Sequence, residues 1–227
     1  MIVSIDGPAG SGKSTIAREV AQRFGFEKLD TGALYRTVAW ACLARGIDAE
    51  DLPAVAAVAR ETRIRFDGHG EQTSIWADGS DVSEAIRTPE VERIVSAVAA
   101  NPEVRSALLP VQRAFATGRD VVAEGRDIGT VVFPHAELKI FLTADPAERA
   151  RRRVLQRHEH DAAAPAEPEI EREVAATLTA IERRDALDST RDVAPLTAAP
   201  DAVKLDSTSF TIDEIVTRVG ALIEERR

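Results

Sequence analysis

The chain has 227 residues and a formal net charge of −9, because 38 acidic residues outnumber 29 basic ones. An acidic chain of this kind is not a general nucleic-acid binder, since such proteins need a net basic face. No run approaches 18 consecutive apolar residues and the first residues lack a basic and apolar leader, so we expect a cytoplasmic protein with no membrane partner.

The chain opens with the pattern of an α/β domain. The β-branched run Ile2–Asp6 predicts a strand, and residues 7–12 form a glycine-rich loop. Ser14–Phe24 carries apolar residues at helical spacing, and Gly25 is a typical helix-ending residue. A strand, a loop and a helix in this order predict the first unit of an α/β fold.

The glycine-rich loop matches the phosphate-binding motif G-x4-G-K-[ST] at every position of residues 7–14. Its glycines allow backbone N–H groups to turn toward phosphate oxygens at a helix N-terminus. Lys13 is expected to reach the β- and γ-phosphates, and the Ser14 hydroxyl to bind Mg²⁺. The expected nucleotide-binding residues are Gly7, Pro8, Ala9, Gly10, Ser11, Gly12, Lys13, Ser14 and Thr15.

A second strand and two helices follow. Glu27–Asp30 predicts the strand, Ala33–Arg45 a helix that ends at Gly46, and Pro53–Arg60 a short helix. The single cysteine, Cys42, lies in an apolar run, which indicates a buried thiol and excludes an intramolecular disulfide.

The turn between this second strand and its helix has two interpretations. Thr31 and Gly32 offer a hydroxyl and N–H groups at a helix start, and Arg36 follows about one turn later. This set suits an anion. The alternative is an ordinary N-cap with a surface arginine.

The length allows a core with one small insert, and residues 63–86 have the composition of such an insert. Ile64–Phe66 and Thr73–Trp76 alternate in polarity, and residues 67–70 and 78–79 supply turn residues. We expect a small antiparallel sheet.

The next stretch predicts two helices and two buried strands. The helices are Val91–Ala100 and Glu103–Thr117, the second kinked at Pro110. The strands are Val121–Ala123 and Leu138–Leu142. A block of polar residues and glycines, residues 124–130, follows the first strand. Since ligands bind beyond the carboxyl ends of parallel strands, this block, the Thr31 turn and the phosphate-binding loop should converge.

Arginine dominates the basic residues: 29 basic residues include only four lysines, which leaves 25 arginines. Genomic base composition and phosphate recognition both account for this excess. The predicted helix Pro146–His158 has five arginines between Arg149 and Arg157, and Arg151–Arg153 are adjacent with no evident local acidic partner. Bound phosphate would explain that repulsion; an interhelical ion-pair network is the alternative.

The remaining elements complete the alternation. Residues 161–168 indicate a mobile loop, 169–184 a long helix, and 202–205 a last strand. A capping box at Thr211 and Glu214 predicts a final helix to about Glu225. Arg184, Asp188 and Arg191 would share one side if the long helix continues. Strands alternating with helices predict an α/β fold: a doubly wound parallel sheet of about five strands, of the P-loop NTPase class.

Taken together, these motifs resemble the bacterial cytidylate kinase family of nucleoside monophosphate kinases almost end to end. The string from Gly125 to Pro134 is the most family-specific signal. The other matching segments are the P-loop, Asp30–Arg36, Asp81–Ser83 with Ile86 and Arg87, Val95–Ala99, Val104 and Arg105, Lys139–Leu142 and Asp192–Leu196. The segment 158–173 is several residues longer than the family leads us to expect, and it is rich in Ala, Pro and Glu.

The resemblance implies a kinase core with two appendages. The core would comprise 1–62, 87–150 and 185–227. The β insert 63–86 would belong to the monophosphate-binding region, and residues 151–184 to a helical LID that closes over ATP. The resemblance also suggests a monomer with no nucleic-acid polymer as partner.

The resemblance further implies roles for single residues. Thr31 and Arg36 would hold the CMP phosphate, and Ser96, Arg105 and Asp127 would read the cytosine. Arg184 and Asp188 would address the ribose, with Arg191 near the phosphates or base. Arg126, Arg149 and Arg153 would meet phosphates or the ATP adenine. The expected catalytic residues are Lys13, Arg126, Arg153, Arg184 and Arg191.

The implied reaction is Mg²⁺-dependent transfer of the ATP γ-phosphoryl group to CMP or dCMP. Its nucleophile is a phosphate oxygen, mostly ionised at neutral pH, so no general base is needed and the four histidines have no catalytic role. Three alternatives remain at this point. They are a kinase of another small molecule such as shikimate, a GTP-dependent switch, which would lack its Asn-Lys-x-Asp signature here, and a non-catalytic nucleotide sensor.

Overall fold

A five-stranded parallel sheet in the order β2-β6-β1-β7-β8 forms the centre of the chain. The computed structural model describes residues 1–68, 73–158 and 166–227. The strands are β1 (Ile2–Asp6), β2 (Glu27–Asp30), β3 (Ile64–Asp67), β4 (Ser74–Ala77), β5 (Ser80–Asp81), β6 (Val121–Gly125), β7 (Leu138–Thr143) and β8 (Val203–Asp206). The predicted fold class and the predicted strands of this sheet are confirmed.

Helices cover both faces of the sheet. They are α1 (Lys13–Phe24), α2 (Thr31–Ala44), α3 (Leu52–Glu61), α4 (Pro89–Ala100), α5 (Pro102–Phe115), α6 (Pro146–Arg157), α7 (Glu167–Thr190) and α8 (Ile212–Glu224). Val3 and Ile5 of β1 are fully buried, which follows from the position of β1 in the middle of the sheet. Apolar residues of α1 and α8 pack together with β1 and β7 in one core cluster.

The insert is a small antiparallel sheet, as expected. β3 pairs with β4, β4 pairs with the short β5, and Asp78 and Gly79 make the tight turn between these two with positive φ angles. Part of the other predicted turn, at residues 69 and 70, lies outside the described residues. The apolar residues Ile75 and Ala77 of the insert are buried against α2 and the 3₁₀ turn Ala85–Arg87, so the insert is anchored on the core.

Several helices differ from the prediction at their ends: α4 begins at Pro89 rather than Val91, α5 ends at Phe115 rather than Thr117, and α2 and α7 differ as well. α2 begins at Thr31 instead of Ala33 because the Asp30 side chain accepts a hydrogen bond from the Ala33 N–H and caps the helix. α7 begins at Glu167, inside the segment interpreted as a loop, and runs to Thr190 rather than ending at Arg184. Proline is tolerated in a first helical turn, where Pro168 lies. The remainder of that loop prediction, 161–165, lies outside the described residues.

Other boundaries follow the sequence closely. Gly25 ends α1 in the left-handed conformation, and the capping box of Thr211 and Glu214 is complete at the start of α8. Pro110 lies inside α5, and Cys42 is buried on α2. Within the part of the chain that the structure describes, no helix has the length and apolar character needed to cross a membrane.

Candidate active site

The phosphate-binding loop joins β1 to α1 at the carboxyl edge of the sheet. Lys13 is buried, and its Nζ donates to the Pro8 carbonyl oxygen at 2.6 Å and to Ser11 Oγ at 3.4 Å. Burial, together with the Arg126 guanidinium, lowers the pKa of Lys13 to about 7. The ammonium group therefore lies against the loop in an environment that would favour an added anion.

Gly7 is the position at which this loop cannot accept another residue. Its φ is +151°, and a Cβ there would meet the Leu142 carbonyl oxygen at 2.0 Å. The loop backbone therefore lies directly against the end of β7. This close approach fixes the loop relative to the sheet.

We expect Gly7→Ala to lower the free energy of unfolding by several times the roughly 1 kcal/mol that a left-handed alanine costs. Gly46→Ala is the matched control, because Gly46 also has a positive φ, +66°, but an added Cβ meets nothing within 4 Å. Urea unfolding of both variants makes the comparison. Equal losses would show that the overlap at Gly7 relaxes without cost.

Ser14 and Glu124 form a pair of oxygen donors beside the loop. The Ser14 hydroxyl donates to Glu124 Oε2 at 2.7 Å, and Lys28 lies 3.5 Å from Glu124 Oε1. Glu124 Oε1 is buried and makes no hydrogen bond. Burial, with the nearby Asp30 carboxylate, raises the pKa of Glu124. No role for Glu124 was predicted from the sequence, although its place at the end of β6, the strand next to β1, is a signal that points to the site.

Asp6, the last residue of β1, is a second acidic residue without an assigned role. Its two carboxylate oxygens accept hydrogen bonds from the N–H groups of Ile128 and Gly129, each at 2.7 Å. Burial raises the pKa of Asp6 to about 6, although the two N–H donors oppose this shift. Asp6 thus fixes the loop after β6, a π-helical turn over Ile128–Val132, against the end of β1.

The raised pKa of Asp6 gives a pH-dependent stability. Because the folded value of about 6 exceeds the unfolded value of 3.8, the stabilising contribution is present below about pH 4 and is lost as pH rises through about 6. The stability of the unmodified chain minus that of Asp6→Asn should therefore fall by about 3 kcal/mol over this range. Urea unfolding at a series of pH values measures it. An equal difference at all pH values would contradict the shift.

The Thr31 turn matches neither interpretation fully. The Thr31 hydroxyl donates to the Glu124 carbonyl oxygen at 2.7 Å, so the N-cap is provided by Asp30. Arg36 is not a surface arginine, since its side chain is 15% exposed and pairs with Asp30 at 2.7 Å. Its buried Nε makes no hydrogen bond. A donor is therefore available beside the loop after β6.

Arg105 and Asp127, which the family resemblance leads us to expect at the cytosine, form a buried ion pair. Arg191 lies 3.7 Å from the second Asp127 oxygen, and the Arg105 guanidinium lies 5.3 Å from the centre of the Tyr35 ring. The structure thus brings Arg105, Asp127 and Arg191 together. Ser96, on α4, is half-buried, and its side chain makes no hydrogen bond within the described residues.

The arginines of α6 divide into different environments. Arg149 is buried; it donates to the Ala9 carbonyl oxygen at 2.9 Å and pairs with Asp185 at 2.7 Å, so it supports the phosphate-binding loop from behind. The expectation that Arg151–Arg153 lack local partners is wrong for Arg152. This residue pairs with Glu148 one helical turn earlier, at 2.9 Å, because the i, i+4 spacing places both on one face.

Arg126, Arg153 and Arg184 each pair with a carboxylate of another element. Arg126 pairs with Asp188 at 2.8 Å, and both Arg153 and Arg184 donate to Glu92 of α4. Burial and the neighbouring Arg126 lower the pKa of Arg184, and its Nε makes no hydrogen bond. The interhelical ion-pair alternative thus describes part of this cluster, but unsatisfied donors and excess positive charge remain next to Lys13.

The described residues contain no group of three or more His, Cys, Asp or Glu side chains placed to hold a metal by themselves. A hydroxyl and a carboxylate, those of Ser14 and Glu124, lie together beside the loop. Mg²⁺ is commonly held by one or two carboxylates together with substrate phosphates and water. The donor set therefore fits a metal that arrives with a nucleotide.

Comparison with known proteins identifies relatives along the whole chain. The family model described as Cytidylate kinase matches residues 3–225. A protein named Cytidylate kinase from Saccharophagus degradans is 46% identical over 100% of this chain and 98% of its own length. Another protein of that name, from Limosilactobacillus reuteri, is 45% identical over 98% of this chain and 95% of its own length. An uncharacterized protein from Eubacterium ventriosum has a TM-score of 0.51 at 13% identity, over 100% of this chain and 99% of its own, which supports the fold alone.

Proposed function

The chain belongs to the cytidylate kinase family and is an ATP-dependent nucleoside monophosphate kinase, and we propose that it phosphorylates CMP and dCMP. The products are ADP with CDP or dCDP. The observation that carries this proposal is the buried Arg105–Asp127 pair beside the arginine cluster, all at the sheet edge that also holds Lys13. An intact phosphate-binding loop alone would leave the acceptor open.

The acceptor would bind between α2, α4 and the loop after β6. Thr31 and Arg36 would face its phosphate, and Ser96, Arg105 and Asp127 would read the cytosine edge. Arg184 and Asp188 would address the ribose, with Arg191 between base and phosphates. The unsatisfied Nε donors of Arg36 and Arg184 support a phosphate on this side of the cluster.

The donor would bind along the loop that begins α1. Residues 7–15 would hold the ATP phosphates, with Arg149 behind the loop. Residues 151–184 would act as a LID, residues 63–86 as part of the monophosphate-binding region, and the other ranges as the core. The continuous helix α7 crosses the proposed LID boundary at residue 184, so any LID movement would be transmitted to Asp188 through the helix.

The metal would be Mg²⁺, held by Ser14 with Glu124 next to it. When bound, it would neutralise charge on the ATP phosphates. The exposed Ser14 oxygen would bind the metal through a lone pair while its O–H group still donates to Glu124 Oε2. Glu124 would orient the Ser14 side chain through this hydrogen bond.

The chain's own contribution to the chemistry is placement and charge. The attacking phosphate oxygen is largely ionised at neutral pH, so no side chain needs to remove a proton. Lys13, Arg126, Arg153, Arg184 and Arg191 would surround the phosphoryl group and stabilise its charge. Both substrates would contact elements of one chain, which is consistent with a monomer.

A panel of acceptors tests the proposal. ADP release from MgATP would be measured with no acceptor and with CMP, dCMP, UMP, AMP or shikimate. We expect strong stimulation by CMP and dCMP, weak stimulation by UMP and none by the others. Stimulation by shikimate would favour another small-molecule kinase, and equal rates with every addition would indicate a nucleotide sensor or a hydrolase.

A further inference from the structure

One carboxylate, Glu92 of α4, pairs with arginines from two other helices, and a third arginine, Arg36 of α2, lies near enough to act on its pKa. Its Oε2 accepts hydrogen bonds from Arg153 of α6 at 2.9 Å and Arg184 of α7 at 3.0 Å. Although burial opposes the shift, the guanidinium groups of Arg184, Arg153 and Arg36 hold the pKa of Glu92 below its usual value. Glu92 is therefore an anion in the middle of the proposed phosphate-binding cluster.

These arginines are only partly satisfied by Glu92. Arg184 and Arg153 each give it one hydrogen bond, and the buried Nε atoms of Arg36 and Arg184 have no acceptor. Arg152, the neighbour of Arg153 on α6, behaves differently. All three of its guanidinium nitrogens donate hydrogen bonds, to Glu148, Ser207 and Thr208. The cluster around Glu92 thus retains donors for a second, more highly charged anion.

Glu92 is also accessible enough to be displaced. Its side chain is 28% exposed and belongs to α4, whereas Asp188, the partner of Arg126, is nearly buried. Because solvent reaches part of this ion pair, giving it up costs less than breaking a fully buried pair. A phosphate dianion attracts the same guanidiniums more strongly and accepts several hydrogen bonds at once.

We propose that Glu92 is the counter-ion of this arginine cluster and yields it to the acceptor phosphate when CMP binds. Glu92 is thus a positioning residue that holds Arg153 and Arg184 in place before CMP arrives. Glu92 also competes with the phosphate of CMP for these arginines, so the chain binds CMP less tightly than it would if Glu92 were absent. This inference rests on the proposed function.

The test compares Glu92→Gln with Glu90→Gln. Glu90 lies on the same helix, and among the described residues its one ion pair is an exposed contact with Arg93 at 3.0 Å, so it controls for the loss of one negative charge on α4. We expect Glu92→Gln to bind CMP about fivefold more tightly by calorimetry and to melt at a lower temperature without ligand. Cytidine, which lacks the phosphate, should bind both variants and the unmodified chain equally.

Three results would overturn the proposal. They are unchanged or weaker CMP binding by Glu92→Gln, an equal gain in Glu90→Gln, and an equal gain for cytidine. If neither CMP nor cytidine binds the unmodified chain, the proposed function itself fails. Should Glu92→Gln not fold, a crystal structure of the unmodified chain with CMP decides: Glu92 must have left Arg184, and an intact contact contradicts the exchange.

Discussion

Replacing Lys13 by alanine is expected to lower kcat about 100- to 1,000-fold, with CMP binding little changed. Lys13 is the cation within the phosphate-binding loop, where it donates to the Pro8 carbonyl oxygen. Its ammonium group would lie close to the transferring phosphoryl group and stabilise the negative charge that develops there in the transition state. The loss should therefore appear in kcat, measured by ADP release at saturating ATP and CMP.

The control for this variant is Lys204→Ala. Lys204 is exposed on β8, and its side chain makes no hydrogen bond or ion pair within the described residues. Turnover by Lys204→Ala should stay within about twofold, as is usual for an exposed side chain away from a site. Turnover near that of the unmodified chain in Lys13→Ala would contradict the role assigned to the loop.

Asp127→Asn should produce the second large effect, a fall of about 100-fold in kcat/KM for CMP. The substitution removes the negative charge that Arg105 and Arg191 share and leaves the buried Arg105 guanidinium uncompensated. It also changes the group that would read the cytosine. The KM for ATP should stay within about threefold, because in the proposed arrangement Asp127 would face CMP and not ATP.

Kinetics with CMP and UMP test this prediction, since the CMP preference should fall along with the activity. Assays belong below the melting temperature of the variant, which we expect to be lower. Asp213→Asn, at the exposed start of α8, removes the same charge far from the pair and should behave like the unmodified chain. An unchanged CMP-to-UMP ratio in Asp127→Asn would refute a base-reading role.

The sequence predicted the elements whose signals are local. Glycines in residues 7–12, the β-branched residues of β1 and the capping box at Thr211 specify their conformations within a few residues, and all three agree with the structure. The C-terminal end of α7 could not be predicted from local signals of this kind. Its helix continues through Asp188 because that residue is buried against Arg126, a contact between residues 62 positions apart.

In the candidate site, too, some features could be predicted from the sequence and others could not. The convergence of three loops at one sheet edge followed from parallel strands, and the structure brings these loops together. The partners of the charged side chains in the site could not be predicted from the sequence. Glu92 meets Arg184 across 92 positions and Asp6 meets Ile128 across 122, and no periodicity within either segment announces such a pairing.

The central claim is that the γ-phosphoryl group passes from ATP to CMP and not to water. The most direct measurement follows label from [γ-³²P]ATP and separates labelled CDP from labelled inorganic phosphate over time. We predict that label appears in CDP in step with ADP and that little inorganic phosphate forms, with or without CMP. Label that accumulates as inorganic phosphate at the same rate in both conditions would contradict the account.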